Sequence, residues 1–523
     1  MDLWAGENAA QQRTQIVGRP RVKGLAGMGI LALNLGWAPP AFGHALRQRY
    51  DLPIPLGLYL AGAGATVALS FVVITLFTRR PPWRGSYPRV NLLRFRALRI
   101  LAHPGILFAC RLLSVGLFAL ILLAGIFGTQ NTFRNIAPTA VWVIWWVGLA
   151  YVSALLGDVW ALINPWNTVF RWAEGLRRRW KSGGSLSFDA PYPEWLGVWP
   201  AVVLFLIFAW TELVWEGAEV PASLASAALA YSLLTWAGML VFGRERWLRG
   251  GEVFSVFFGT LARFSPTEFR AGNPDPEWAL RPYGAGLLTT EPIHASQMMF
   301  VLVMLSTVTF DGFIETPLWV AIVDWILLAP LLLPVLTVLH KTLGSLLPLI
   351  QSVALGLFPL VFLAIYMVFV WLMRYVVSTA ARGDADDRRI PTTDLARLFV
   401  LTLVPIAIAY HLAHYLAYFL VAGQFIIPLA SDPFGFGWDL LGTSLYRIDI
   451  GVVDARFVWY TAVIAIVVGH IIAVCLAHLM ALYVFKDARL ATKSQYPMLG
   501  LMVCYTMISL WILAQPVVEP TPG

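Results

Sequence analysis

An imidazole inside an apolar segment is costly and marks a functional site. Four of the eight histidines of this chain stand in two such segments. His411 and His414 lie in Tyr410-His411-Leu412-Ala413-His414-Tyr415; His470 and His478 lie in the apolar run after the next polar loop. On a helix His411 and His414 project about 60° apart, close enough to face one object. His411 is eleven residues from Ala422 and His470 thirteen from Phe457. Both therefore fall roughly 15–20 Å below the same surface, and His478 sits about 12 Å deeper, in a second layer. Three imidazoles at one depth suit zinc, whose catalytic sites often use three protein ligands and keep a fourth position for water. Copper takes the same donors. A single haem held by His411 or His414 opposite His470 is an alternative. So is a purely structural role, with the rings bonded to backbone carbonyls and to Tyr410, Tyr415 or Tyr418.

Three carboxylates fall on the side where the histidine segments open. Asp311 follows a threonine-rich helix end, and Asp432 and Asp439 flank the glycines of Ser431-Asp432-Pro433-Phe434-Gly435-Phe436-Gly437-Trp438-Asp439. Each is either a cap or turn residue bonding its local backbone, or a general base or the carboxylate that orients a ligating imidazole. His44 offers a separate copper donor: cleavage after Gly43 would leave it as a free amino-terminal histidine, able to bind through amine and ring together. His103, His294 and His340 lie near segment ends and suggest no role.

The elements that must position these groups are membrane spans. The 523 residues are 59% hydrophobic and 13% charged, about half the charge of a soluble domain, with a mean hydropathy of +0.71. Long continuous apolar runs exclude a β-barrel and predict an all-α, polytopic membrane helix bundle of ten to twelve spans. The net charge of +8 comes from arginine-rich loops, the pattern of cytoplasmic loops of a bacterial inner-membrane protein, and not from a nucleic-acid surface. Cys110, Cys475 and Cys504 lie in apolar runs with no CxxC spacing, and read as buried small hydrophobes.

Residues 1–43 read either as a signal peptide, with a basic start, a short apolar core and small residues at Ala41 and Gly43, or as an uncleaved first helix; both put His44 outside the cytoplasm. Residues 44–523 form the membrane domain. Its expected spans are Leu56–Phe77, Ile106–Phe127, Ala137–Leu156, Leu196–Val214, Ser223–Val241, Met298–Val308, Gly344–Leu372, Leu395–Ala422, Phe457–Phe485 and Met498–Leu513. Glu212 falls at the outer end of its span. Residues 251–292 are expected to be a long cytoplasmic loop. Pro317–Leu339 carries Asp324, Pro330 and Pro334. If it crossed, Arg374, Arg382, Arg388 and Arg389 would face outward against the charge bias. It is expected to be interfacial or re-entrant.

Several motifs together resemble the bacterial membrane proteins called fenitrothion hydrolases. They are Gly43-His44 with Leu52-Pro53-Ile54-Pro55, Gly125-Ile126-Phe127-Gly128-Thr129-Gln130, Gly157-Asp158-Val159, Asn164-Pro165-Trp166, Thr307-Val308-Thr309-Phe310-Asp311-Gly312, the Tyr410–Tyr415 and Ser431–Asp439 stretches, Gly469-His470 and Ala477-His478. The likeness spreads over residues 43–486, and the stretch before Lys23 departs from it. It implies hydrolysis of an organophosphorus triester, with an apolar small-molecule substrate reaching the site from the lipid bilayer or the outer face. With the histidines, this gives a metal-dependent membrane hydrolase, in which zinc or copper polarises the phosphoryl group. Copper binding or transport, and a one-haem redox subunit, are the alternatives.

Overall fold

The computed structural model describes residues 51–81, 87–180, 185–270, 277–380, 390–485 and 487–515. His44 and the N-terminal segment lie outside the described residues. Among the described residues, ten helices are long and apolar enough to cross a membrane: α1 Leu56–Phe77, α2 Pro104–Phe127, α3 Ile136–Leu155, α4 Glu194–Leu213, α5 Pro221–Phe242, α6 Ala295–Phe313, α7 Leu347–Thr379, α8 Thr392–Ser431, α9 Ala455–Val484 and α10 Ala488–Ala514. In hydrocarbon each backbone polar group must be satisfied within its own segment, so apolar runs of this length become helices. The chain is an all-α polytopic membrane bundle.

Burial sorts the helices. In the most apolar window of α8, 83% of residues are buried within the protein, and in that of α6, 72%; in α2 none is. Helices α6 and α8 therefore form the centre and α2 faces lipid. Helix α8 packs most extensively on α9, and α9 on α10. Pro359 in α7 and Pro497 in α10 stand in helix interiors, where a soluble helix would break. Helix α10 runs through Pro497 and begins at Ala488, well before the expected start at Met498, since neighbouring helices supply the packing that a free helix lacks.

Pro317–Leu328 and Leu333–Leu343 meet at 102°. Ala329, before Pro330, takes an extended conformation that ends the first helix. A bend of this size is that of a broken span or of the interfacial or re-entrant element expected here. Counted as not crossing, the pair leaves Arg94, Arg96, Arg99, the run Arg177–Arg179, Arg244, Arg246, Arg249, Arg374, Arg489 and Lys493 all at one end of the bundle, the arginine-rich end.

Two expectations are corrected. Residues 251–265 are not a loop: Val253–Ala262 is a helix that buries Val253, Phe254, Phe257, Phe258 and Leu261 against α3 and α4. Buried Glu252 caps it, accepting from the backbone N–H of Phe254 and Ser255, the hydroxyls of Ser255 and Tyr231, and the Asn164 amide. Nor are all three cysteines buried. They are free thiols, but Cys110 and Cys504 are exposed on α2 and α10, and Cys475 is half-buried.

Candidate functional site: a buried acid–base cluster

The site is built where α6 meets α8. The hydroxyls of Ser306, Thr307 and Thr309 bond back to carbonyls three or four residues earlier, so the threonine-rich segment stays helical. Helix α6 continues to Phe313. Asp311 is therefore an intrahelical side chain, not the start of a loop. Gly312 beside it permits close approach: a Cβ there would stand 2.6 Å from the Tyr410 hydroxyl and 2.8 Å from Ile512. With Tyr410 seated on Gly312, the next turn of α8 carries His414 against Asp311.

His414 Nε2 lies 2.9 Å from Asp311 Oδ2, and the imidazole is 7% exposed. The same carboxylate oxygen accepts the Tyr415 hydroxyl at 2.6 Å. Tyr415 also stands 3.2 Å from Glu212 Oε1, which the Trp146 indole N–H reaches at 2.8 Å. Trp146 comes from Thr139–Gly148, a stretch of α3 wound with wide π-type turns, a distortion frequent at functional sites. When Asp311 is ionised it accepts from the imidazole Nε2–H, and the neutral ring then carries its basic lone pair on Nδ1.

The proton count in this cluster is informative. One phenol sits between two carboxyl groups, and a phenol has one proton. Both oxygen–oxygen contacts are hydrogen bonds only when a second proton resides on Glu212 or Asp311. The cluster is thus arranged to hold and exchange a proton.

His411, one turn before Tyr415 and 91% buried, packs edge-on to Trp146 and Tyr151 with ring centroids 5.9 and 5.6 Å away. Its Nε2 and the Tyr151 hydroxyl are buried without a hydrogen-bond partner among the described residues. Both residues, with Glu212, Thr307 and Tyr415, line a mostly apolar cavity of about 40 Å³ walled by Phe205, Phe257 and Met304. That is room for water, and its orphaned polar atoms are what a buried water needs.

The other expected site residues lie elsewhere. His470 is fully buried, with Nδ1 2.8 Å from the Ile466 carbonyl and its ring beside Tyr505, on the α10 side. His478 bonds the Thr78 carbonyl through Nε2 at 2.9 Å, beside Phe71. The helices do neighbour one another at matching depth: a Cβ on Gly469 would stand 2.3 Å from the Ala409 Cβ. That contact fixes the directions. Two residues on from Ala409, about 200° of rotation, His411 points away from α9. The rings of His411, His414 and His470 do not converge, and among the described residues no three His, Cys, Asp or Glu side chains could hold a metal ion together. The donor set expected for zinc, copper or a haem between α8 and α9 does not fit these positions.

Asp432 and Asp439 do not join the cluster. Asp432 accepts from the backbone N–H of Phe436 and Gly437 at 2.9 and 2.6 Å. Asp439 accepts from that of Ser444 at 3.0 Å, the bond that holds its exposed carboxyl below the usual range. Both are turn residues. The Gly128–Gln130 motif is also structural: Thr129 N–H bonds the Phe434 carbonyl, and Gln130 ties the end of α2 to the start of α5.

Sequence reasoning missed Glu212, Trp146 and Tyr151. A carboxylate just inside an apolar run, facing a tryptophan-rich one, was the available signal.

The fold is that of a polytopic α-helical membrane protein, and it encloses a buried cluster of two carboxyl groups, a phenol and an imidazole. No family model, curated protein or solved structure matches the chain.

Proposed function

We propose that this protein relays protons within the membrane through Glu212, Tyr415, Asp311 and His414. The observation that carries the reading is the single phenol held between two carboxyl groups, one of which also holds an imidazole. Buried Asp, Glu and His chains of this kind mark proton pathways in pumps and transporters. Water in the cavity would extend the path from Glu212 towards His411 and Tyr151.

Hydrolysis of an apolar organophosphorus triester, the activity that the resemblance implies, is the second reading. The Asp311–His414 pair favours it, because a carboxylate-oriented imidazole is a general base for water. A 40 Å³ cavity admits water but not a triester, so this reading requires the apolar walls to part and admit substrate from lipid. Among the described residues, the histidines expected to hold copper or a haem do not come together. In either reading the arginine-rich end faces the cytoplasm of a bacterial inner membrane, and the mature N-terminus lies outside.

One preparation tests both readings. Purified protein in proteoliposomes is given a pH gradient and, separately, a nitrophenyl thiophosphate triester. Proton flux that falls in Asp311→Asn, without nitrophenol release, supports the relay. Nitrophenol release that falls in Asp311→Asn and His414→Ala supports the hydrolase. Wild-type behaviour of both variants in both assays rejects the site.

A further inference from the structure

A second cavity lies at the arginine-rich end, remote from the acid–base cluster. At about 360 Å³ it is much the larger of the two and within the range of small-molecule sites. Its walls come from the turn after α3, the helix Val253–Ala262 and the first turns of α6. Two guanidinium groups line it, Arg249 and Arg263, with the side chains of Asn167, Thr260 and Gln297.

The arginines are under-used. Arg249 bonds only the Glu245 carbonyl, one helical turn back. The Arg263 guanidinium and the Gln297 carboxamide make no hydrogen bond to a described residue, and neither arginine is ion-paired among them. Burial, and then the neighbouring Arg281 guanidinium, press against the charge of Arg263. The one carboxylate in the wall, Asp158, is engaged by the Ala161 N–H as a helix cap. The carboxylate of Glu252, behind Ser255, is already satisfied by the donors described above. Two cations that are not ion-paired among the described residues, facing one cavity with amide donors beside them and apolar walls around them, form the donor set of a phosphate site.

We propose that this cavity binds a phosphate-bearing anion between Arg249 and Arg263. The phosphate could belong to a lipid headgroup or to a free phosphate ester; basic pockets between spans at this end of a bundle take lipid headgroups. The site is independent of the acid–base cluster, and its test does not depend on the protein's activity.

The probes are inorganic phosphate and phosphatidylglycerol, each titrated into purified full-length protein in non-ionic detergent, with thermal unfolding and native mass spectrometry as readouts. The expected result is saturable stabilisation by at least one probe. Arg249→Gln and Arg263→Gln should each weaken the apparent affinity about tenfold or more, the worth of a charge-assisted hydrogen bond, while Arg263→Lys should recover part of it. Saturation by phosphate alone identifies a free ester; saturation only by phosphatidylglycerol, with one lipid retained in the mass spectrum, identifies a headgroup. Arg249 is exposed, so its variant keeps the test open if Arg263→Gln fails to fold. No saturable effect from either probe, or wild-type affinity in both glutamine variants, overturns the proposal.

Discussion

At the scale of single residues, three aspartates that look alike in sequence separate by what they touch. Asp311 holds an imidazole and a phenol inside the bundle; Asp432 and Asp439 hold backbone N–H groups in exposed turns. Asp311→Asn keeps the shape of the side chain but removes the charge that binds both proton-bearing partners. It should lower the protein's activity by about 10²–10⁴, the range for a lost acid–base group, while Asp432→Asn leaves it unchanged. Proton flux and triester turnover, measured on both variants side by side, check this; equal effects would mean that Asp311 is only a packing residue. Tyr415→Phe should behave like Asp311→Asn, since it removes the link between the carboxyl groups. That His411 and His414 lie on a membrane-spanning helix was legible from the apolar run around them. Their partners were not, because Asp311 lies 103 residues from His414 and no local pattern encodes that pairing.

At the scale of elements, the sequence's apolar runs yield the spans, and the charge bias weighs against a crossing by the bent pair Pro317–Leu343. Rotation about each helix axis is harder to read, and rotation decides which histidines meet. Gly469 and Ala409 carry that information: small residues where two backbones approach closely. Residue 409 faces α9, so His411 cannot. The same contact yields a stability prediction. In Gly469→Ala the added methyl meets the Ala409 Cβ at 2.3 Å and the Pro405 carbonyl oxygen at 3.0 Å, and neither can swing aside. The substitution should cost about 1–3 kcal/mol, as overpacked cores do. Gly116→Ala, in α2 with nothing within 4 Å of its added Cβ, should be neutral or slightly stabilising, because alanine is the better helix former. Thermal unfolding in one detergent compares the pair, and a Gly469→Ala protein as stable as wild type would remove the argument for how α8 is turned.

At the scale of the whole molecule, the connections at the arginine-rich end are not loose loops. Three short strands, β1 Val90–Asn91, β2 Thr267–Arg270 and β3 Glu277–Leu280, form an antiparallel sheet in the order β1-β3-β2. This stitches the segment after α1 to the one before α6. The sequence hides this sheet because its strands are two to four residues long, below the reach of any periodicity. Glu268 is its knot, accepting from the Tyr87 hydroxyl at 2.6 Å and from Arg270 at 2.8 Å, with Arg281 3.3 Å away. Burial alone would raise the Glu268 carboxyl, but the bonds from Arg270 and Tyr87 and the charges of Arg281 and Arg270 outweigh it and hold it below its ordinary value. A carboxyl lowered by folding adds stability that is fully present above its unfolded value, near 4.5, and is lost as pH falls through the folded one. Glu268→Gln should therefore unfold at a lower temperature than wild type at neutral pH, by the equivalent of about 1 kcal/mol for a partly solvated, screened cluster. The two proteins should converge as the pH drops below the ordinary carboxylate range. Melting curves of both proteins from pH 7 to pH 3 read this directly: a gap that stays constant with pH would show that Glu268 acts through its shape and not its charge, and no gap at neutral pH would show that the sheet does not depend on it.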